Sequence, residues 1–207
     1  METKKLFNRL FPPKYNFFAT LCRQTEFTYE GVRRLERWLS ERSDLNHDGL
    51  LSLAEEADRV RFKMEADLSE AFLTPFSRQD IYIFSIRMSR IIEAAKSTMF
   101  SCKAYECATD SVILGMASSL SRSTKALFDA TSMLEENPRH AALLIDNMRL
   151  EKSLIVIQYR EALAEMFKLE ISIEIIKKRE IFRELRDVAE HIDIVVDVLH
   201  RIVVRLY

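Results

Sequence analysis

The scarcity of glycine and proline is the feature that most constrains the fold of this chain. Its 207 residues contain only 3 glycines and 4 prolines. Because these residues supply most tight turns and strand ends, the sequence leaves room for few connections. Apolar residues make up 48% of the chain and charged residues 30%, which is the balance of an ordinary globular domain. The sequence therefore predicts an all-α protein built from long helices.

Turn signals along the chain divide it into six main helices. Thr74-Pro75 ends the second helix, because the residue before a proline disfavours the helical region, and Ser77 is a suitable N-cap for the third. The last helix carries apolar residues at three- and four-residue spacing, which marks one buried face. The predicted helices span approximately residues 14–43, 52–73, 77–107, 109–136, 139–168 and 172–205, and the apolar stripe of the last consists of Ile181, Leu185, Val188, Ile192, Val195, Val196 and Leu199.

A degraded copy of one segment recurs about 100 residues further along the chain. The run 68–72 (LSEAF) is echoed by 163–167 (LAEMF), and 78–82 (RQDIY) is echoed by 178–182 (KREIF). Self-similarity of this kind indicates a duplicated structural unit. The period is too long for a solenoid, so we expect two halves that are each a three-helix bundle. The predicted organisation is a single domain over residues 1–207 with an internal repeat over approximately 14–107 and 109–205.

Charge and cysteine content narrow the class of protein. The net charge of -1 gives no electrostatic reason to expect a nucleic-acid partner. Cys22, Cys102 and Cys107 show no metal-ligand spacing, and an odd number of thiols fits a reducing, cytoplasmic location. No stretch approaches the roughly 18 apolar residues of a membrane span. Residues 4–11 form an amphipathic segment that either caps the open end of a bundle or touches a membrane surface or a partner helix.

Residues 44–55 match the EF-hand calcium-loop pattern at every diagnostic position. Acids or asparagine occupy loop positions 1, 3 and 5, Gly49 occupies position 6, and a glutamate closes the loop at position 12. This spacing allows alternate oxygen ligands to converge on one hard cation, for which Ca²⁺ is the expected occupant. The predicted ligands are Asp44, Asn46, Asp48, the Leu50 carbonyl, Ser52 directly or through water, and Glu55. A loop without a partner loop predicts weak binding, with a Kd on the order of 10⁻⁴ M or looser.

The same residues also fit a turn that binds no metal. Aspartate, asparagine and glycine are the residues preferred in any tight connection between helices. Ser52 and Glu55 have the spacing of a capping box at the start of the second helix. Antiparallel helices of a bundle also differ from the nearly perpendicular pair that flanks a calcium-loaded loop. Both interpretations remain open at the level of sequence.

Three segments carry a resemblance to a known family: the acidic cluster 55–58, the helix junction 71–82 and the C-terminal run 198–204. Within the junction, Thr74 to Ile81 matches the pattern T-P-F-x-R-x-D-I position by position. These segments resemble the PhoU-like phosphate-uptake regulators, in particular the branch encoded beside Pit-type phosphate permeases. The resemblance implies a six-helix fold of two three-helix bundles. It also implies a cytoplasmic regulator that contacts a permease or an associated membrane protein, peripherally at the inner face of the membrane.

The resemblance further implies iron or other divalent-metal clusters, held by carboxylates four residues apart on helix faces. Here the expected pattern is eroded, because Ala54 and Arg90 stand where acids are expected. An arginine in a ligand position opposes a cation directly. The acids that remain are Glu56, Asp58 and Glu93 in the first half and Glu190, Asp193 and Asp197 in the second, with His191 as an additional nitrogen ligand. Iron or another divalent metal at these residues is the alternative to calcium in the loop.

The common signatures of catalysis are absent from the sequence. It contains no glycine-rich phosphate loop, no H-E-x-x-H and no G-x-S-x-G. Three functions therefore remain open: a non-catalytic regulator of phosphate transport, a divalent-metal-binding protein, and a structural adaptor that acts as a homo-oligomer.

Overall fold

A computed structural model describes residues 15–206, of which 85% are helical and none lies in a strand. The six helices are α1 (Phe17–Glu41), α2 (Asp44–Glu70), α3 (Arg78–Ala104), α4 (Ser111–Ser132), α5 (Pro138–Met166) and α6 (Ile173–Leu206). The prediction of an all-α fold with six main helices is confirmed. None of these helices is long and apolar enough to cross a membrane. The amphipathic segment 4–11 lies outside the described residues.

Five helices lie close to their predicted bounds, and α2 is the exception. The predicted start at Ser52 is wrong, because Ser43 is extended and the helix begins at Asp44. Leu50 is fully buried and belongs to the same stripe as the buried residues Ala54 and Ala57. Packing of this stripe against α1 and α3 extends the helix through the segment that resembles a loop.

Four helices surround the centre of the molecule. α1 contacts α3 and α4, while α6 contacts the same two helices from the opposite side. The two remaining helices lie outside: α2 rests on α1 and α3, and α5 rests on α4 and α6. The chain thus folds as two three-helix bundles, α1–α3 and α4–α6, that share one core. The repeat bounds 14–107 and 109–205 remain a prediction about the origin of these two units.

Small residues allow the helices to approach closely. A Cβ atom at Gly31 of α1 would lie 2.9 Å from Ile92 of α3 and 3.2 Å from Leu50 of α2. The small residues of α4 serve the same purpose, since Ala117 and Ser119 are buried where this helix packs against its neighbours. The predicted apolar stripe of α6 is buried at all seven positions. The core therefore depends on apolar stripes on long helices and on small residues where two backbones approach.

The junction between α2 and α3 is held by its own polar groups. Ser77 accepts a hydrogen bond from the Asp80 backbone N–H at 3.4 Å, as an N-cap does. The Arg78 guanidinium reaches back and donates to the carbonyls of Leu68, at 2.9 Å, and of Ala71 at the end of α2. These carbonyls have no helical N–H partner, so one arginine satisfies the C-terminus of α2 while α3 begins.

Asp80 ties the start of α3 to the end of α6. Its carboxylate is buried, and it forms ion pairs with Arg205 and, at 3.4 Å, with Arg201. A buried carboxylate is tolerated only when it is paired, because desolvation strongly disfavours an isolated charge. The pair joins two helices that belong to different three-helix bundles.

Replacing the buried carboxylate should weaken the whole fold. We expect Asp80→Asn to lower the free energy of unfolding by about 2 kcal/mol, since it leaves two arginines without their counter-charge. Urea denaturation measures the change. The matched control is Glu93→Gln, which removes only a half-exposed pair with Lys96 at 2.7 Å within α3 and should cost less than about 0.5 kcal/mol. Equal losses in the two variants would contradict the role given to Asp80.

An arginine–carboxylate pair joins α4 to α5. Arg122 donates two hydrogen bonds to Glu151, at 2.7 and 2.8 Å, and also donates to the hydroxyl of Ser119 at 2.8 Å. These hydrogen bonds from Arg122 hold the pKa of Glu151 below its ordinary value of 4.5, although burial acts in the opposite direction. A carboxyl with a lowered pKa stabilises the folded protein only while it is ionised.

The sign of this shift predicts a pH dependence of stability. The contribution of Glu151 should be fully present above pH 4.5 and lost as the pH falls through its lower folded-state pKa. Urea denaturation of the wild type and of Glu151→Gln at pH 7, 5, 4 and 3 should show a stability difference that is constant at first and then shrinks. The exposed Glu165→Gln serves as the control for removal of a surface carboxylate. A Glu151 difference that grew on acidification would contradict the assignment.

Candidate functional site

The segment predicted as a calcium loop forms the first turns of α2. Residues 44–55 are helical throughout, so oxygens two positions apart point to different sides of the helix instead of converging. Asn46 is buried, and its amide donates to the Glu41 carboxylate at 3.4 Å. Asp48 points outward and contacts His47 at 2.9 Å. The expected helix–loop–helix geometry is thus replaced by a continuous helix.

The remaining residues of this segment also have helical surroundings. The Ser52 side chain is exposed on the outer face of α2, and Glu55 lies 3.6 Å from Arg59 one turn further on. Leu50, whose carbonyl oxygen was the expected backbone ligand, lies within α2, and its side chain is buried. The capping box predicted for Ser52 and Glu55 is wrong as well, because both residues lie within the helix rather than at its start.

Gly49 has a packing role in this helix. The guanidinium of Arg34 crosses the first turns of α2, where it lies 3.5 Å from the Leu45 carbonyl oxygen. A Cβ atom at Gly49 would lie 2.3 Å from Arg34 Nη1. The glycine that completed the calcium pattern therefore leaves room for an arginine side chain from α1.

Substitution of this glycine distinguishes the two conformations of the segment. We expect Gly49→Ala to raise the free energy of unfolding by up to about 1 kcal/mol, because alanine is favoured over glycine within a helix. The displaced group is the far end of the flexible Arg34 side chain, which can move aside. Urea denaturation measures the change. A destabilised variant would indicate that residues 44–55 form a loop that requires glycine.

Calcium binding by residues 44–55 stays a prediction. In the helical conformation, convergence of the ligands would require the first turns of α2 to unwind. Binding should therefore reduce the helical circular-dichroism signal as calcium is raised to millimolar concentration, and Asp48→Ala or Glu55→Gln should abolish this change. An unchanged spectrum and melting temperature in the wild type would leave the helix without a calcium-binding role.

The acids expected in a family-type metal cluster form ion pairs with basic side chains. On α2, Glu56 pairs with Arg59 at 2.9 Å and Asp58 pairs with Arg61 at 3.3 Å. On α3, Glu93 pairs with Lys96 in the same way. Each of these three carboxylates therefore has a counter-charge on its own helix.

In the second half, the counter-charges come from the neighbouring helix. The ammonium group of Lys152 on α5 contacts Asp193 and lies 3.4 Å from Glu190. The hydrogen bond that Lys152 donates to Asp193 raises the pKa of Lys152, so this cation remains charged beside the two acids. Asp197 lies 3.5 Å from Arg149, also on α5. A lysine thus occupies the place between two carboxylates where a bridging metal ion would have to bind.

His191 is a weak candidate for a nitrogen ligand. Burial lowers its pKa, and the nearby Arg87 contributes in the same direction, so the ring is neutral at pH 7. A neutral imidazole can bind a metal, yet Arg87 and Arg90 of α3 would oppose a cation at this position. Among the described residues, no three or more His, Cys, Asp or Glu side chains are grouped to hold a metal ion. Iron or another divalent metal at the six predicted acids stays a prediction.

Two of the three cysteines have a structural role at the end of α3. The N–H of Cys107 donates to the Cys102 carbonyl at 3.0 Å, while Glu106 adopts a positive φ of 51°, the geometry of a Schellman motif. Arg42 donates to the Cys107 carbonyl at 2.6 Å. Burial, followed by the neighbouring Cys102, raises the pKa of the Cys107 thiol to about 11. A thiol with so high a pKa is a poor nucleophile at neutral pH.

A cleft of about 520 Å³ opens where α4 begins, α5 ends and α6 begins. Its lining includes the apolar side chains Met166, Ile175 and Phe182. On its rim Lys178 contacts Asp110 at 2.9 Å, and Asp110 in turn caps α4 by accepting from the N–H groups of its first turn. Because the lysine is already neutralised, the cleft offers an apolar surface rather than an anion site.

The sequence did not reveal the contacts of the arginines that hold the connections together, although Arg78 is one position of the junction motif. Arg42 directly follows α1 and donates to the Cys107 carbonyl in the connection between α3 and α4, whereas Arg78 begins α3 and donates to carbonyls at the end of α2. A basic residue close to a predicted helix end is a recognised C-terminal signal, so the position of Arg42 had a trace in the sequence. The partners across the chain had none, because they depend on how the helices are arranged.

Comparison with solved structures places this arrangement among known folds. A PhoU-like protein from Shewanella oneidensis MR-1 superposes with a TM-score of 0.72 at 13% sequence identity, covering 92% of this chain and 100% of its own. A putative PhoU-like phosphate regulatory protein from the same organism superposes with a TM-score of 0.65 at 12% identity, with the same coverage. The chain has the PhoU-like fold. No protein-family model matches the sequence, and no curated protein matches it either.

In this PhoU-like fold, the helix junction that resembles the family has a structural role. The residues 74–81 that carry the resemblance form the connection between α2 and α3, where Arg78 caps one helix and Asp80 anchors the next to α6. The matched residues of the helix junction therefore have structural roles. The acids expected to bind metal instead form ion pairs with basic side chains.

Proposed function

We propose that this chain is a non-catalytic regulator of inorganic phosphate transport. The observation that carries the proposal is the likeness of 92% of the chain to solved PhoU-like structures, one of which is described as a putative phosphate regulatory protein. The junction motif supports the same conclusion from the sequence. Absence of catalysis is supported by the high pKa of Cys107 and by the ion pairs that engage the acids of α2, α3 and α6.

The proposed mode of action is contact with a membrane protein. The partner is a Pit-type phosphate permease or a protein associated with it, approached from the cytoplasm at the inner face of the membrane. The support is the connection between α5 and α6, where Phe167, Leu169, Ile171 and Ile173 are all exposed. Contiguous exposed apolar side chains mark an interaction site more often than single ones do. We propose this connection as the surface that meets the partner.

Phosphate uptake tests both parts of the proposal. Deletion of the gene should remove the dependence of phosphate uptake on external phosphate, and the wild-type gene should restore it. Ile171→Asp should fail to restore it, because a carboxylate disrupts an apolar contact with the partner. The Ile171 side chain is 87% exposed, so we expect this change to leave the fold intact. The matched control is Phe62→Asp, an exposed aromatic residue on α2, which should restore regulation. Radioactive phosphate uptake at several external concentrations provides the measurement.

The outcomes separate the role from the surface. Unchanged uptake and regulation after deletion would overturn the role in phosphate transport. Normal regulation with Ile171→Asp would overturn only the choice of the α5–α6 connection. Circular dichroism of both variants confirms that each is folded.

A further inference from the structure

The cleft where α4 begins, α5 ends and α6 begins is continuous with the surface proposed to meet the partner. Leu169, one of the exposed residues of the α5–α6 connection, also lines this cleft. The other apolar side chains of the lining are Val112, Ala162, Met166, Ile175 and Phe182. The volume of about 520 Å³ lies within the range of ligand pockets, which is roughly 300–1,000 Å³. The cleft is therefore large enough to receive part of a partner.

The charged side chains of the lining are mostly acidic. They comprise four carboxylates and one ammonium group, namely Asp110, Glu161, Glu165, Glu174 and Lys178. Lys178 is engaged by Asp110 at 2.9 Å, which leaves the three glutamates. Glu161 is exposed and forms no ion pair with any described residue. The cleft thus combines an apolar lining with an excess of negative charge.

The other two glutamates have partners outside the cleft. Glu165 lies 2.6 Å from Lys168, and Glu174 lies 2.9 Å from Lys177, but neither lysine lines the cleft. The two glutamates are 72% and 61% exposed. Ion pairs of exposed side chains contribute little to stability, so these carboxylates are free to exchange partners when a ligand brings its own cations.

The three glutamates come from two helices. Glu161 and Glu165 are one turn apart near the end of α5, whereas Glu174 belongs to the first turn of α6. A ligand in the cleft would therefore meet carboxylates from both helices together with the apolar lining. This combination is complementary to apolar and basic side chains carried on one segment. It disfavours free phosphate and an anionic membrane surface, because the carboxylates repel both.

We propose that the cleft binds a basic amphipathic segment of the partner membrane protein, an inference that rests on the proposed function. The cytoplasmic loops of membrane proteins carry an excess of lysine and arginine, which is the charge that this cleft lacks. The apolar side chains of the segment enter the cleft, as in other complexes of a helix with a groove, while its basic side chains pair with the glutamates. Met166 suits such a site, because a methionine side chain adapts to different apolar shapes.

A designed peptide tests the chemistry of the cleft. The probe is a capped peptide of about 14 residues, or roughly four helical turns, with leucine on one face and lysine on the other. Calorimetric titration into the full-length protein at physiological salt should give a dissociation constant in the micromolar range. A peptide with glutamate in place of lysine, and one with serine in place of leucine, should each bind at least about tenfold more weakly. Equal binding of either control peptide would overturn the proposal.

Charge reversal in the protein locates the binding site. The double variant E161K/E165K should bind the leucine–lysine peptide at least about tenfold more weakly, because it reverses the charge contributed by α5. The matched control E135K/E136K makes the same change in net charge just before α5 begins, at the opposite end of this helix, and should bind as the wild type does. Equal weakening in the two double variants would indicate a general effect of charge and would overturn the site.

Methionine labelling gives an independent readout of position. The methyl resonance of Met166, identified by its loss in Met166→Leu, should shift as the peptide is added, because Met166 lines the cleft. Met133, at the end of α4 remote from the cleft, should not shift. Binding without a shift of the Met166 signal would overturn the site.

The two proposals fail in different experiments. Absence of peptide binding would overturn the role of the cleft and leave the role in phosphate transport intact, because that role is tested by uptake. Unchanged uptake after deletion of the gene would overturn the role in transport even if the peptide binds.

Discussion

The burial of four apolar helix faces in a single core governs the rest of this structure. α1, α3, α4 and α6 each contact two others of the set, so each hides its apolar stripe inside a closed arrangement. This requirement brings the two three-helix bundles together as one body. It also leaves α2 and α5 with one buried face and one outer face.

Polar groups are used mainly to fix how the helices join. Asp80 connects α3 to α6, Arg122 connects α4 to α5, and Arg78 closes the end of α2. The acids of α6 are likewise neutralised by Lys152 and Arg149 of α5. Ion pairs between helices can supply locally the positive charge that acidic helix faces would otherwise take from metal ions. Electrostatic contacts and apolar burial thus hold the same pairs of helices together.

The two outer helices occupy equivalent positions in the fold but expose different kinds of side chain. α2 presents mostly charged side chains to the surroundings, whereas α5 exposes several large apolar side chains among its polar ones, namely Leu143, Leu150, Leu154 and Ile157. The connection that follows α5 is also apolar, with Phe167 and Ile171 exposed. The connection that follows α2 is likewise apolar, since Phe72 and Leu73 are exposed there.

The amino-acid sequence by itself determined the helical class, the number of helices, most of their bounds and the buried stripe of α6. These properties follow from local propensity and periodicity, which are visible in any single stretch of chain. The tertiary structure decided the conformation of residues 44–55, because the burial of Leu50, Ala54 and Ala57 favours a helix where the local pattern matches a loop. It also decided which basic residue pairs with each acid, and it left Leu150, Leu154 and Ile157 of α5 exposed. Contacts between residues distant in the chain depend on how whole helices pack, so no local pattern could reveal them.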